Sequence, residues 1–425
     1  MQRKLSFEHT PSLSIPLRFF LTAPVFAMLA GLLLVWYGPQ ALSVRWSPIT
    51  LALTHLLTLG FLTMSMTGAL IQLLQVVVGI VVPHVRLTAA IVHGALLLAT
   101  CALTCAFLFF STPLFVLALG FLSIAFLGLL GACLIGMWRM KADNATFAAM
   151  RLALVALCIT VGLGAVTTNA LIGVVALPIV QMTNLHAAWG LVGWVGLLVI
   201  GVAYQVVPMF MVTHMYPGRV SRFLAVTLFA LLIFWTASHG LPAVKSRSIL
   251  SVLVVAVLGL FAVITIGLLW KRKRRVPDTT ILFWYVSAGS LLACCGLWLV
   301  GIMRPELAET PSFALLLGVL FIVGFGYSVI NGMLYKIVPF LIWYHLQTRL
   351  ADIGMKAPNI RKIIPEQAAG KQFYAHGLVL LSMVLAAIFP EQLARLAGVL
   401  FIASSLWLWI NLLLAGLFYR AALIK

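Results

Sequence analysis

The sequence predicts an all-α integral membrane protein with twelve transmembrane helices. Three observations predict it. Of the 425 residues, 64% are hydrophobic and only 8% are charged, and the mean hydropathy is +1.17. The apolar residues gather in runs of about 20, the length a helix needs to cross a bilayer. These runs are continuous rather than alternating, which excludes a membrane barrel, and backbone groups in lipid must pair internally, which leaves helices.

The predicted spans are 16–37, 49–79, 87–111, 113–137, 148–171, 184–212, 220–238, 248–270, 277–302, 312–344, 373–389 and 396–419. One polytopic membrane domain therefore fills residues 1–425, with a cytoplasmic loop at 347–371. The opening MQRKLSFEHTPSLSIPL has too short an apolar run and no small-residue cleavage site, so no cleaved signal peptide is expected.

A net charge of +19 raises nucleic acid as a partner. The placement of the charges excludes it. With the N-terminus inside, the cytoplasmic loops carry Arg139, Lys141 and Arg151, then Arg219 and Arg222, then KRKRR from Lys271 to Arg275, then Arg349, Lys356, Arg361, Lys362 and Lys371. The opposite side has only Arg45, Lys245, Arg247, Arg304 and Arg395. This is the positive-inside asymmetry, and it puts both termini in the cytoplasm. KRKRR reads as a topology anchor or an anionic-lipid contact. Cys101, Cys105, Cys133, Cys158, Cys294 and Cys295 all fall within spans and do not form a disulfide framework.

The chain also repeats itself. GVAYQVVPMFMVTH, Gly201 to His214, and GMLYKIVPFLIWYH, Gly332 to His345, share Gly, Tyr, Val, Pro and His at the same offsets. A third stretch, GALIQLLQVVVGIVVPH from Gly68, aligns Gln72 with Gln205 and Lys336. The second, sixth and tenth spans are then equivalent, and the helices fall into three groups of four: 1–145, 146–275 and 276–425, with pseudo-threefold packing. VHGALLL at His93 and AHGLVLL at His376 support the match. Pro208 and Pro339 free the carbonyls of Tyr204 and Tyr335 beside Gln205 and Lys336. These are either self-satisfied kinks or points on a polar path through Gln72, Gln205, Lys336, Tyr204 and Tyr335.

All eight acids, Glu8, Asp143, Asp278, Glu306, Glu309, Asp352, Glu366 and Glu391, fall in loops, tails or span ends. That argues against an ordinary proton-coupled pump. Lys336 is the exception to the uncharged interior, and it is expected to point into the bundle near the Tyr335 carbonyl. Histidines remain as candidate ligands: His55, His186 and His239 towards the outer side, and His84, His93, His214, His345 and His376 towards the inner. Neutral imidazole ligates transition metals, including haem iron. Met64, Met66, Met209, Met211 and Met215 are either core fillers or soft copper ligands.

Twelve helices in three groups, with histidines on helices 2, 6 and 7, resemble the haem–copper oxidase subunit I architecture. THLLTLGFLTMSMTGALIQ and LHAAWGLVGWVGLLVIGVAYQVVP resemble more closely the NnrS-like haem- and copper-associated membrane proteins. The resemblance implies a bacterial inner-membrane protein that binds haem b, with copper as a second cofactor, and acts in respiratory or nitric-oxide-related metabolism. It implies His55 as a haem ligand, and His186 and His239 near the copper-ligand positions. His93 and His376 join them as cofactor candidates. The sequence departs from the oxidases in lacking helix-10 outer histidines, the helix-6 His-Pro-Glu-Val pattern and proton-path carboxylates, so whether it is an enzyme stays open and no catalytic residue is assigned.

Counting from the repeat glycines, His55 and His186 differ by about 3 Å in depth and roughly 160° in phase, which predicts that they do not form a symmetric pair. His214 and His345, with equal offsets, are predicted to share a face. Two other functions fit the composition: a transporter of a metal or small neutral solute, with kinked helices at a midplane site, and a cofactor-free assembly component with a degenerate oxidase fold. The expected partners are the lipid bilayer, a small gas or metal ligand, and a partner subunit.

Overall fold

The computed structural model describes residues 10–79, 82–138, 144–240, 244–274, 276, 278–352 and 354–424. Among them, twelve helices are long and apolar enough to cross a membrane. They are α1 (Ser14–Leu42), α2 (Pro48–Val76), α3 (Val85–Phe109), α4 (Thr112–Gly136), α5 (Ala145–Leu171), α6 (Ile179–Met211), α7 (Gly218–Gly240), α8 (Ser246–Trp270), α9 (Thr279–Met303), α10 (Pro311–Ala351), α11 (Glu366–Ile388) and α12 (Pro390–Leu423). No strand occurs among the described residues. The outward faces carry large apolar side chains such as Trp36, Phe109, Leu127 and Phe234, as a bilayer-embedded surface requires. Glu8, His9, Arg139, Lys141, Asp143 and Arg275 lie outside the described residues.

Helix ends follow local capping. Asn144 accepts a hydrogen bond from the Phe147 amide (2.7 Å) and starts α5. Asp278 accepts from the Thr280 amide (3.0 Å) and starts α9. The α10–α11 loop is shorter than 347–371 because α10 runs to Ala351 and α11 begins at Glu366. The Glu366 carboxylate accepts from the backbone and hydroxyl of Thr279, tying the start of α11 to that of α9. All six cysteines are free.

The second helices pack on the first through paired glycines. A Cβ placed on Gly68 would fall 2.7 Å from the Phe19 Cβ, and one on Gly201 would fall 2.6 Å from the Ala149 Cβ; Gly332 meets Phe283 in the same way. Eight residues earlier, Gly60, Gly193 and Gly324 meet Phe26, Ala156 and Ser290. In each pair of helices the partners on the first helix are seven residues, or about two turns, apart. Small residues at these points let the backbones approach, which drives helix association where lipid removes the hydrophobic force. Gly31 and Gly398 do the same for α1 and α12, bringing the two ends of the chain side by side.

α2, α6 and α10 also share a backbone irregularity. Each contains a π-helical stretch: Leu56–Thr63, Trp189–Gly196 and Val319–Tyr327. Each stretch ends five residues before Gly68, Gly201 or Gly332. The three helices meet centrally. Trp194 donates from Nε1 to the Thr63 hydroxyl (3.1 Å), and Phe61 stacks on Tyr327 with ring centres 3.9 Å apart.

Beyond the prolines the helices diverge. α6 stops at Met211, one turn past Pro208, and Val212 takes a left-handed φ of 52°. α10 continues well past Pro339. His214 is therefore exposed beyond its helix, while His345 stays on one. The shared face expected for that pair does not form.

Candidate functional site

Of the sequence-predicted histidines, the structure brings His55 and His186 together. Their ring centres are 6.2 Å apart and their planes differ by 22°. The phase difference did not forbid this. It tests whether two residues are equivalent by repeat, not whether two neighbouring helices turn those residues towards each other.

Each imidazole is held by its Nδ1. His55 Nδ1 lies 2.8 Å from the Leu51 carbonyl one turn back. His186 Nδ1 lies 3.0 Å from the Thr160 carbonyl on α5. A carbonyl oxygen only accepts, so Nδ1 carries the proton in both rings, and the neutral imidazole offers its lone pair at Nε2. Backbone anchoring of this kind fixes the tautomer and orientation of metal-binding histidines. Gly164 makes room for His186, since a Cβ there would sit 3.0 Å from the imidazole Cε1. Phe107 of α3 lies along His55, with ring centres 5.3 Å apart.

The surroundings are polar but self-satisfied. Thr54 and Thr58 on α2, Thr167 and Thr168 on α5, and Thr183 on α6 each donate to a carbonyl four residues back. Just outside α1 and α2, Arg45 donates to the Asn184 side chain (2.7 Å) two residues before His186 and lies 4.0 Å above the Trp46 ring. Burial lowers the Arg45 pKa from the ordinary guanidinium value. Its bond to Asn184 places this cation two residues before His186 on α6.

The other candidates go elsewhere. His239 is held by the Trp235 carbonyl (2.9 Å) and packs on the Trp235 ring. Its own carbonyl accepts from Gln181 (3.5 Å) on the helix that carries His186. His93 and His376 pack against the equivalent phenylalanines, Phe19 and Phe283. Thr22 gives its proton to the Arg18 carbonyl, so His93 Nε2–H donates to the Thr22 oxygen (2.9 Å). By the same logic His376 Nε2–H donates to Ser328 (2.7 Å), whose proton goes to the Val323 carbonyl. His376 is 1% exposed and its Nδ1 has no partner. Among the described residues, no group of three or more His, Cys, Asp or Glu side chains converges on one point.

The polar-path residues do not join. Gln72 is buried with Oε1 unpartnered, and so is the Tyr204 hydroxyl. Tyr335 accepts from Asn411 (3.0 Å). Gln205 lies beside Leu73, Thr146 and Met150. Lys336 does not turn to the Tyr335 carbonyl. Its Nζ lies 2.6 Å from Asp278 Oδ2 at the start of α9, because a carboxylate compensates an ammonium far better than one carbonyl dipole. Sequence reasoning missed Asp278, Thr160, Phe107 and Gly164. Asp278 alone left a signal, as an acid directly preceding an apolar run. No family model matches the chain, and no curated protein matches its sequence.

Proposed function

We propose that this protein is a bacterial inner-membrane haem-binding protein of respiratory or nitric-oxide-related metabolism, with His55 and His186 as the residues that would hold the haem. The observation that carries the proposal is the pair itself. Two imidazoles from α2 and α6, each with Nδ1 anchored on a carbonyl, lie 6.2 Å apart between ring centres. Two rings that share one ion through metal–nitrogen bonds of about 2 Å place their centres roughly 6 Å apart. The donor set suits haem iron, which takes one or two imidazoles. A bound haem b would supply reversible one-electron chemistry. The chain's own part is to hold two neutral imidazoles side by side with each Nδ1 anchored, to cover one ring with Phe107, and to hold the Arg45 cation on Asn184, two residues before His186, for an anionic group. A copper ion would take the same two nitrogens.

The proposal includes the architecture: three groups of four helices around a pseudo-threefold axis, with both termini in the cytoplasm. The common glycine register and the π-helical stretches at equal offsets support the grouping. The excess of Lys and Arg in the loops after even-numbered helices supports the orientation.

The test is an optical spectrum of the full chain purified with haem supplied. The expected result is a haem b Soret band that His55→Ala and His186→Ala each abolish or shift, while His93→Ala, His239→Ala and His376→Ala leave it unchanged. A colourless wild type sinks the haem reading and returns the transporter and assembly readings to the front. A spectrum indifferent to both His55 and His186 sinks the assignment.

A further inference from the structure

We infer that the junction of α2, α6 and α10 is a binding site for a small apolar gas, a monatomic or diatomic molecule held by dispersion. The inference does not depend on any haem. A partly open pocket of about 70 Å³ lies there, with Ala69, Val202 and Ile330 of its lining only half-buried. Its lining has a regular register. Each of the three helices contributes five positions, at −3, −2, +1, +2 and +5 from Gly68, Gly201 or Gly332. These positions form one stripe on each helix, since residues four apart stack on the same face. Phe20 and Trp284, the residues following Phe19 and Phe283, complete the wall.

The same three helices that pack most closely outward, through their glycines, thus leave a gap on their inward faces. The gap exists because the register is filled unevenly. At +1 the helices carry Ala69, Val202 and Met333, and at +2 they carry Leu70, Ala203 and Leu334. Ala69 and Ala203 are the short members of their sets.

The lining decides what enters. A trapped water needs about 2–4 polar partners. Here the hydroxyl of Ser65, 2% exposed and without a partner, is the one unengaged polar side-chain group. The Trp284 Nε1–H is already directed to the Met333 sulfur, 3.3 Å away. One hydroxyl does not hold water in an apolar wall, and an apolar cavity of about 150 Å³ stays dry and takes up guests as large as benzene, so a space of half that volume suits a monatomic or diatomic one. A small apolar molecule gains contacts with every lining side chain. A weakly polar diatomic also gains a donor from Ser65.

Xenon is the probe. Crystals of the full chain, with and without xenon pressure, should show one anomalous peak between Ala69, Ala203 and Met333. Ala203→Leu copies what Leu70 and Leu334 already supply, and Ala69→Met copies Met333. Each should abolish the peak and raise the melting temperature by filling the gap. The proposal is overturned by an empty wild-type site under xenon, by an ordered water on Ser65 or a lipid acyl chain in that space, or by a peak that survives both filled variants. Should both variants misfold, the wild-type experiment alone decides.

Discussion

The Lys336–Asp278 ion pair ties α10 to the residue that caps α9, and its strength can be worked out. The Lys336 Nζ–Asp278 Oδ2 distance is 2.6 Å, with side chains 26% and 16% exposed. Two unit charges about 4 Å apart attract by about 4 kcal/mol at an effective dielectric constant near 20, before desolvation is counted. After desolvation, a hydrogen bond to a charged group retains about 1.5–3 kcal/mol. Lys336→Leu should therefore cost about 2 kcal/mol. It should not reach the 3–5 kcal/mol typical of a stranded buried charge, because Asp278 keeps the Thr280 amide and the positive end of α9. Lys336→Gln keeps a hydrogen bond and loses the charge, so it should cost about half as much. Asp278→Asn strands the ammonium but keeps the cap, since Asn accepts the Thr280 amide about as well as Asp does. The assay is reversible unfolding in mixed micelles of wild type, Lys336→Leu, Asp278→Asn and the double variant. The cycle should return a coupling of about 1–2 kcal/mol; a value within the additivity error of about 0.3–0.5 kcal/mol would refute the reasoning and make Lys336 a snorkelling side chain.

Two further expectations follow from packing and from the orphaned histidine. Gly332→Val drives a side chain into Phe283 and should cost about 1–3 kcal/mol, or prevent folding, whereas Gly318→Val, with open space at its Cβ, should be nearly neutral in the same unfolding assay. His376→Leu removes a buried Nδ1 that has no partner while Ser328 keeps the Val323 carbonyl; stability should hold or rise by about 1 kcal/mol, and a loss above about 2 kcal/mol would mean that Nδ1 is bonded to a bound molecule.

The spans were legible because about 20 apolar residues in sequence can do little else in water but enter a membrane. The start of α11 was not. Its first turns, EQAAGKQ, are polar, and what makes them helical is Glu366 reaching the start of a different helix. The Lys336–Asp278 pair was hidden for the same reason, since 58 residues of chain separate the two charges. The His55–His186 pair was hidden because phase along a helix cannot say how two helices face each other. The π-helical stretches left no local mark at all: THLLTLGFLT reads as a plain apolar helix.

Tyr, Val, Pro and His recur in two of the three stretches, but only the glycines recur in all three, and the physical reason is packing. Where two backbones touch, only glycine fits, so Gly68, Gly201 and Gly332 keep both identity and position. Where three stripes face a shared gap, the constraint falls on their combined volume and not on any one residue. Ser65, Leu198 and Val329 can then differ freely while holding the same place. The glycine contacts hold α2, α6 and α10 in place while the residues facing the gap differ in size, and Ala69 and Ala203 leave it unfilled. The chemical pair obeys a different rule. His55 and His186 are fixed by carbonyls on α2 and α5 at offsets that do not match, so the pair is not a product of the repeat. The pair therefore departs from the glycine register by which α2, α6 and α10 pack, because neighbouring helices can turn two side chains together at any offset.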